Sequence, residues 1–386
     1  MISRFRREVY QSFERRADSG MDLIDALCSA LTVESPVAQS ESPLFRRRFS
    51  SVYDFLKKGE IQLPQLRRVL DRNQPEDAQE IAGFEVYAVD CTDDPVPDAE
   101  TLADRVRSKK GRHAPTEIVH RYSWVVRLVE WRTSWCMPQD VRRVPTESTD
   151  SAVGAEQVTA LVERNDRPKV VVADSLYCNV IFLADFVTVQ NLYALVRMRS
   201  SRTLYEESTL LGQRVRLMAW EGLHFYQLPC RVGMVLCVQF LKPDGTPRFQ
   251  RPLYLFWTGP SSVPLADLAQ MYLWRFAIEH MFRFLKQHLG LNSANSPDLA
   301  HRQRWVWCCA LAYCQLLLMR QDVADHRPDW HPRYVQGKSR PLPPRQVQRQ
   351  TLPFLLNLGS PARPVQPAGK GAGRASGYSP PPRKRF

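Results

Sequence analysis

The fold is decided by the stretch KVVVAD at residues 169–174, a short apolar run that follows Pro168 and ends on Asp174. A continuous run of this kind is typical of a central strand that is buried on both faces. A second stretch, FEVYAVD at residues 84–90, also predicts a strand, and it ends on Asp90. In a mixed or parallel sheet, groups at strand ends meet in a crevice. We therefore expect the two aspartates to lie close together, although any single aspartate in such a place is more often a turn or helix-cap residue.

The segments around these strands predict a mixed α/β chain of two or more folded units, because 386 residues exceed what one core usually serves. Apolar residues spaced three and four apart indicate helices in the first 70 residues, at 153–165, at 264–289 and at 300–321. Aromatic and β-branched residues at 121–137 favour one or two strands, plausibly a hairpin. The predicted units are a helical region at 1–80, the first part of a core at 81–191, a β-rich segment at 192–250, the second part of the core at 251–326, and a tail at 327–386.

Charge is concentrated in that tail, which has 12 basic residues against the single acid Asp329 and therefore accounts for +11 of the net charge of +13. The excess predicts a polyanionic partner, most simply nucleic acid, because Lys and Arg release counterions from phosphates. A solubilising extension is the alternative. The tail also holds 12 of the 29 prolines, which predicts a largely disordered segment, at least past Gly359.

Neither a membrane span nor a signal peptide is predicted. The longest apolar run has 15 residues, fewer than the 20 or so that cross a bilayer, and charges occupy the N-terminal segment. These features predict a cytoplasmic protein. The nine cysteines form no CxxC pair, so we expect reduced thiols rather than a metal site.

A third carboxylate is offered by the predicted helix at 264–289. Spacing of seven residues places Tyr272, Glu279 and Lys286 on one helix face, and Arg275 lies four residues before Glu279. An isolated pattern of this kind is more often an exposed ion pair. Together with Asp90 and Asp174, however, Glu279 completes a set of three carboxylates that could hold two divalent ions, for which hard oxygen ligands favour magnesium or manganese.

At these residues the sequence resembles bacterial insertion-sequence transposases that have a DDE catalytic triad and a YREK motif, the insertion-sequence-four group. The run Tyr272-x2-Arg275-x3-Glu279-x6-Lys286 matches the YREK motif, while YAVDCT and VVADSLYCN match the motifs that contain the two aspartates. The resemblance covers residues 1 to about 325. It implies a ribonuclease H-like fold with helices around a mixed sheet, a β-rich insertion before the glutamate helix, and a helical N-terminal region that could bind DNA.

The resemblance implies an activity as well: cut-and-paste DNA transposition, with magnesium-dependent nicking at element ends, strand transfer into target DNA, and a homodimer in the DNA complex. Such a protein acts on double-stranded DNA in the bacterial nucleoid. Residue by residue, Asp90, Asp174 and Glu279 would bind metal, and Tyr272, Arg275 and Lys286 would position DNA. Arg283 adds a basic side chain to the same helix. Trp257 could stack on a flipped base, although packing in the core is the more common role of a tryptophan at the end of an apolar strand.

Two rival functions stay open at this point. The first is a transposase-derived protein that binds DNA without cutting it, whose hallmark would be the loss of an acid or of a YREK partner; none is lost here. The second is a tyrosine recombinase, because His301-x-x-Arg304 followed by His331 and Tyr334 imitates the motif of that class. Short motifs of this kind give frequent false matches. Asp93 and Asp94 compete with Asp90 as metal ligands, but their position near Pro95 and Pro97 predicts solvated loop acids.

Overall fold

A large mixed sheet with helices on both faces forms the body of the protein, in a computed structural model of the chain. The structure describes residues 1–97, 99, 101–109, 115–184, 186, 189–202, 205–206, 209–210, 220–225, 227–242, 246–247, 249–323, 330 and 342–365. This architecture confirms the predicted fold class. None of the described helices combines the length and the apolar character that crossing a membrane requires.

The described helices occur in two groups, one before the sheet and one mostly after it. They are α1 (Ile2–Gln11), α2 (Ala17–Ser29), α3 (Ser50–Lys58), α4 (Leu63–Arg72), α5 (Asp150–Thr159), α6 (Val180–Ala184), α7 (Leu265–Trp274), α8 (Phe276–His288), α9 (Leu299–Met319) and α10 (Pro344–Leu358). Short 3₁₀ helices cover Val37–Glu41 and Val162–Arg164.

The described strands form a small hairpin and the main sheet. The hairpin consists of β1 (Phe13–Arg15) and β2 (Glu60–Ile61). The main sheet contains β3 (Glu85–Pro95), β4 (Val106–Lys109), β5 (Thr116–Leu128), β6 (Cys136–Arg143), β7 (Lys169–Ala173), β8 (Leu192–Met198), β9 (Tyr205–Glu206), β10 (Thr209–Leu210), β11 (Trp220–Phe225), β12 (Leu228–Val238) and β13 (Leu253–Trp257).

The centre of the sheet has the order β6-β5-β3-β7-β8. Strands β5 and β6 form the antiparallel hairpin that residues 121–137 predicted, and β3 is antiparallel to β5. Strands β3, β7 and β8 are parallel to one another. Three antiparallel strands followed by two parallel ones match the ribonuclease H-like sheet that the sequence led us to expect.

Both faces of this centre are covered, and the pleat assigns alternate residues to opposite sides. Tyr87 and Val89 pack in a cluster with residues of α5 and α6, as do Val171 and Ala173. Their neighbours in sequence, Val86, Ala88, Val170 and Val172, pack in the larger cluster that includes α2, α8 and α9. Burial on both sides explains why KVVVA contains no polar residue after its first position.

The predicted helices after the sheet differ in one respect from the structure. The single helix predicted at 264–289 is broken at Arg275 into α7 and α8. The expected stop is present at Gly290, whose φ of +61° lies in the left-handed region that glycine adopts without strain. Helix α9 agrees with the prediction for 300–321 and is buried along nearly its whole length.

The predicted β-rich segment joins the same sheet. Strand β8, which begins at the proposed boundary of 192, pairs in parallel with β7 and belongs to the sheet centre. Strand β13 pairs antiparallel with β8, and the described strands of 205–238 extend the sheet outward from β13. The segment therefore enlarges the sheet instead of forming a separate layer.

A helix lies inside the tail that the sequence predicted to be largely disordered, so this prediction is wrong for residues 344–358. Val347, Thr351 and Leu355 recur every fourth residue and are buried against α2, α8 and α9. The average composition of the whole tail, rich in proline, hid this short apolar stripe. Beyond the helix, Arg6 and Arg46 donate hydrogen bonds to the carbonyls of Gly359 and Ala362. The last 21 residues of the tail, 366–386, lie outside the described residues.

Candidate active site

Asp90 and Asp174 lie side by side on the two parallel strands at the centre of the sheet. The register pairs Ala88 with Val172, so two residues further on Asp90 is level with Asp174, which directly follows the end of β7. Adjacent strands are about 4.8 Å apart. The pleat puts both aspartates on the same face as Ala88 and Val172, the face that α8 covers. This juxtaposition is the one expected from the two sequence motifs.

Strand β3 nevertheless continues past Asp90, where the sequence predicted its end. Its parallel pairing with β7 stops at Ala88, whereas its antiparallel pairing with β5 runs on to Pro95. Asp90 is thus at a strand end only with respect to β7. The predicted end of the strand at Asp90 is therefore confirmed for the pairing with β7 and wrong for the pairing with β5.

Arg275 joins two of the three predicted carboxylates. Its Nη1 is 3.1 Å from Oδ2 of Asp90, and its Nη2 is 2.6 Å from Oε1 of Glu279. The side chain of Arg275 is 7% exposed, while that of Glu279 is 44% exposed. The rings of Tyr272 and Phe276 lie 5.8 and 5.4 Å from the guanidinium carbon and shield it further. Asp90 and Glu279 are therefore brought together through a buried cation.

The pKa of Asp90 responds to both of the other carboxylates. Burial raises the pKa of Asp90 to about 7; the Arg275 charge opposes this rise, and the negative charges of Asp174 and Glu279 add to it. The backbone N–H of Cys91 donates to Oδ1 of Asp90 over 2.8 Å and favours the ionised form. Repulsion from Asp174 and Glu279 is what a crowded carboxylate cluster produces.

The break between α7 and α8 changes the role of the helical stripe Tyr272, Glu279 and Lys286. Lys286 reaches β3, where its Nζ donates to the carbonyl of Asp93 over 2.7 Å. Burial raises the pKa of Tyr272, whose ring is 3% exposed. Tyr272, Arg275 and Lys286 thus make contacts within the protein, and their predicted contacts with DNA stay predictions.

The two further residues predicted to contact DNA differ in their exposure to solvent. Arg283 is exposed on α8, where it has room for a ligand. Trp257 is fully buried, its indole N–H donates to the carbonyl of Pro260, and its ring contacts those of Phe84 and Tyr193. No face of this ring is open to a base. The structure contradicts the stacking role and assigns Trp257 to the core, the alternative that the sequence already favoured.

Asp93 and Asp94 are not solvated loop acids, and this prediction is wrong. Both lie on β3, where Asp94 is buried and accepts a 2.6 Å hydrogen bond from Arg302. Asp93 accepts from Arg121 and Ser108. Burial would raise the pKa of Asp93, but these hydrogen bonds outweigh it and lower that pKa. Residues 91–95 continue to pair with β5, and the nearby prolines led the sequence to predict a loop there instead.

The residues of the recombinase motif are engaged elsewhere or fall outside the described ranges. Arg304 donates from Nη1 to the backbone carbonyls of Leu56 and Lys57. His301 lies in the first turn of α9, which Asp298 caps. His331 and Tyr334 lie outside the described residues. The described part of this motif therefore stabilises the contact between α9 and α3.

A divalent ion fits the chemistry of the carboxylates but requires Arg275 to move. Within the described ranges, no three His, Cys, Asp or Glu side chains are grouped closely enough to form a ready-made metal site. Oδ1 of Asp174 accepts from the N–H of Leu176, and its other oxygen has no hydrogen-bond partner among the described residues. Three carboxylates are the hard oxygen donors that magnesium and manganese prefer. The guanidinium of Arg275 contacts Asp90 and Glu279 at the place where a bound metal ion would contact them.

Comparison with known proteins identifies a family for more than half of the chain. Residues 8–216 match a family described as DDE superfamily endonuclease. The match contains Asp90 and Asp174 and ends before Glu279. No curated protein matches the chain.

Proposed function

Since the chain belongs to the DDE superfamily of endonucleases, whose members typically use divalent metal ions, we propose that it is a DNA transposase. It would cleave DNA strands at the ends of a mobile element and join the freed ends to target DNA. The cofactor would be magnesium, with manganese as a substitute. The insertion-sequence branch with the YREK motif remains part of this proposal.

The observation that supports it best is that Asp90 lies level with Asp174 on a ribonuclease H-like sheet and is linked to Glu279 through Arg275. Structural acids are usually neutralised one by one. Here Asp90 and Glu279 share one guanidinium while the charge of Asp174 also acts on Asp90, an arrangement that favours the arrival of further positive charge.

The residues would divide the work as follows. Asp90, Asp174 and Glu279 would hold the metal ions, which activate the attacking oxygen and stabilise the leaving one during phosphoryl transfer. Arg275 would keep Asp90 and Glu279 in place before loading and could then turn towards a DNA phosphate. Lys286 would fix α8 against β3 through the carbonyl of Asp93.

The proposal is tested with the full chain and a plasmid that carries its coding segment with the flanking DNA. Wild-type protein should nick this DNA with magnesium and not with EDTA. Asp90→Asn and Glu279→Gln should each cut at least about 10³-fold more slowly, because a lost metal ligand removes several kcal/mol of transition-state stabilisation. Denaturing gels measure the rates.

The control is Glu156→Gln, which makes the same chemical change on an exposed residue of α5 that pairs with Arg142. It should cut at the wild-type rate. All four proteins should bind DNA equally well within about twofold in calcium. Cutting near the wild-type rate by either site variant would exclude the proposed triad.

A second candidate is a DNA-binding protein of the same family that does not cut. It is favoured by the Arg275 contacts and by the lack of a ready-made metal group among the described residues. The same assay separates the two. Tight DNA binding without magnesium-dependent nicking by wild-type protein would establish the second function and reject the first.

A further inference from the structure

Two arginine-lined cavities lie on either side of the turn that carries Asp174. The larger has a volume of about 700 Å³, and the smaller has about 290 Å³. Leu176 lines both cavities. Its backbone N–H donates to Oδ1 of Asp174 over 2.8 Å, so the wall between the cavities is fixed to the second aspartate.

The larger cavity has the lining of a phosphate site. Its charged side chains are Arg105, Arg107, Arg121 and Asp150, with a net charge of 3 − 1 = +2. Asp150 is paired with Arg121, which also pairs with Asp93. Arg105 and Arg107 are exposed and form no ion pair among the described residues. Hydroxyl groups complete the lining, from Thr146, Ser148, Thr149 and Ser151.

The smaller cavity repeats this chemistry without any acid. Its charged residues are Arg199 and Arg202, and its other polar residues are Ser175, Asn179 and Ser201. Arg202 is fixed by a 2.7 Å hydrogen bond to the carbonyl of Cys178 and by the ring of Phe225, 5.1 Å away. Arg199 is exposed. Arginine, serine and asparagine side chains are the usual partners of DNA phosphates.

The turn between the cavities presents an apolar tip. The side chain of Leu176 is 46% exposed although it is large and hydrophobic. Because Leu176 lines both cavities, neighbouring phosphates of one strand would reach one cavity each. A sugar or base lying over Leu176 would cover this tip.

We propose that one DNA strand crosses the turn at Asp174, with successive phosphates in the two arginine cavities and a nucleoside against Leu176. This inference deepens the proposed function, because it gives the path of the strand past the carboxylates. It requires three independent contacts, two electrostatic and one apolar. Each can be removed separately.

The test measures binding of the full chain to a labelled single-stranded oligonucleotide by fluorescence anisotropy, in EDTA and over a range of salt concentrations. Each lost phosphate contact lowers the slope of log affinity against log salt by about 0.7 on single strands. Arg107→Gln and Arg199→Gln should each lower the slope by that amount, and the double variant by about twice as much. Leu176→Ser should weaken binding by the same factor at every salt concentration and leave the slope unchanged.

The matched control is Arg167→Gln. Arg167 is 65% exposed and precedes β7, whose first residue, Lys169, lies about 17 Å from Asp174 along the strand. The Arg167→Gln variant should show the same slope of log affinity against log salt as the wild type. An unchanged slope for Arg107→Gln or Arg199→Gln, an equal drop for Arg167→Gln, or full affinity for Leu176→Ser would overturn the path.

This outcome is independent of cutting, since no metal is present. Lowered slopes in a protein that does not nick DNA would uphold the path and reject the transposase. Normal nicking with unchanged slopes would uphold the transposase and reject the path.

Discussion

Two of the arginine–carboxylate contacts on strand β3 lie four residues apart and are built differently. Asp94 and Arg302 form a closed pair, with side chains that are 4% and 3% exposed and 2.6 Å apart. Asp90 shares Arg275 with Glu279, and it also feels the charge of Asp174. One arrangement matches one carboxylate with one guanidinium, whereas the other gathers three carboxylates near a single described guanidinium that contacts two of them.

This difference indicates that the Asp94–Arg302 pair stabilises the fold and that the cluster at Asp90 can bind a ligand. A buried charge without a partner is costly, so structural carboxylates are matched closely, as Asp94 is. The cluster at Asp90 has more carboxylates than guanidinium groups and keeps Glu279 half exposed. Three predictions follow from this contrast.

The largest effect is expected from breaking the closed pair. Arg302→Met leaves Asp94 buried without its cation, and loss of one partner of a buried pair costs about 3–5 kcal/mol of unfolding free energy. The cost should be greatest near pH 8 and smaller at pH 5, where Asp94 can take up a proton. Urea unfolding monitored by tryptophan fluorescence measures both values.

Arg283→Met is the control, since it removes an exposed arginine from α8 and should change stability by less than about 0.5 kcal/mol. The double variant Asp94→Leu with Arg302→Met should regain most of the loss, because an apolar pair can replace a buried ion pair. A small cost for Arg302→Met at pH 8 would show that the pair is solvated and that the contrast with Asp90 is overstated.

A smaller effect is expected in the wild type from pH alone. Burial raises the pKa of Asp94 to about 6, against the opposing charge of Arg302. The folded chain therefore holds this proton more tightly than the unfolded chain, whose aspartates titrate near 3.9. Its contribution to stability is complete below about pH 4 and is lost as the pH rises through 6. The loss should be on the order of 2–3 kcal/mol.

The comparison protein for this measurement is Asp94→Asn, which cannot ionise at that position. Subtracting its unfolding free energy from that of the wild type at each pH cancels the titration of other groups. The difference should fall between pH 4 and 7. A rise over that range would mean that Arg302 outweighs burial and that Asp94 is ionised throughout.

The sheet centre and the two aspartates could be predicted because each depends on local pattern. The continuous apolar run in KVVVAD predicted a strand buried on both faces, and the apolar residues at 300–321 predicted a buried helix. The end of β3 could not be read in this way, since Asp93 and Asp94 are held by β5 and by arginines far along the chain. Helix α10 was missed because its stripe of buried residues is diluted by the prolines around it.

The roles of the basic residues near the site were harder to predict than the acids. Spacing placed Arg275 beside Glu279, and the structure has that contact. It could not reveal that the break at Arg275 turns the same guanidinium towards Asp90, or that Lys286 reaches β3. Arg107 and Arg199 were also missed, because only the folded turn after β7 brings their two cavities together.

The smallest effect, and the sharpest test of the open cluster, comes from removing its shared cation. Arg275→Gln should let calcium, which does not support cutting by such sites, bind more tightly at pH 9. One charged hydrogen bond is worth about 1.5 kcal/mol or more, so the gain should be roughly tenfold. Isothermal titration calorimetry of the full chain gives the affinity without any need for activity.

The pH dependence identifies the cause of such a gain. The Arg275 charge lowers the pKa of Asp90, which burial raises to about 7. Without Arg275 this carboxyl keeps its proton to a higher pH, so the variant should lose its advantage, or bind calcium more weakly than the wild type, at pH 6. Arg283→Gln removes the same charge from the exposed side of α8 and should show neither the gain at pH 9 nor the crossing. Equal behaviour of the two variants would mean that calcium responds only to net charge. Weaker binding by Arg275→Gln at pH 9 would mean that the guanidinium orders the carboxylates for the ion and does not compete with it.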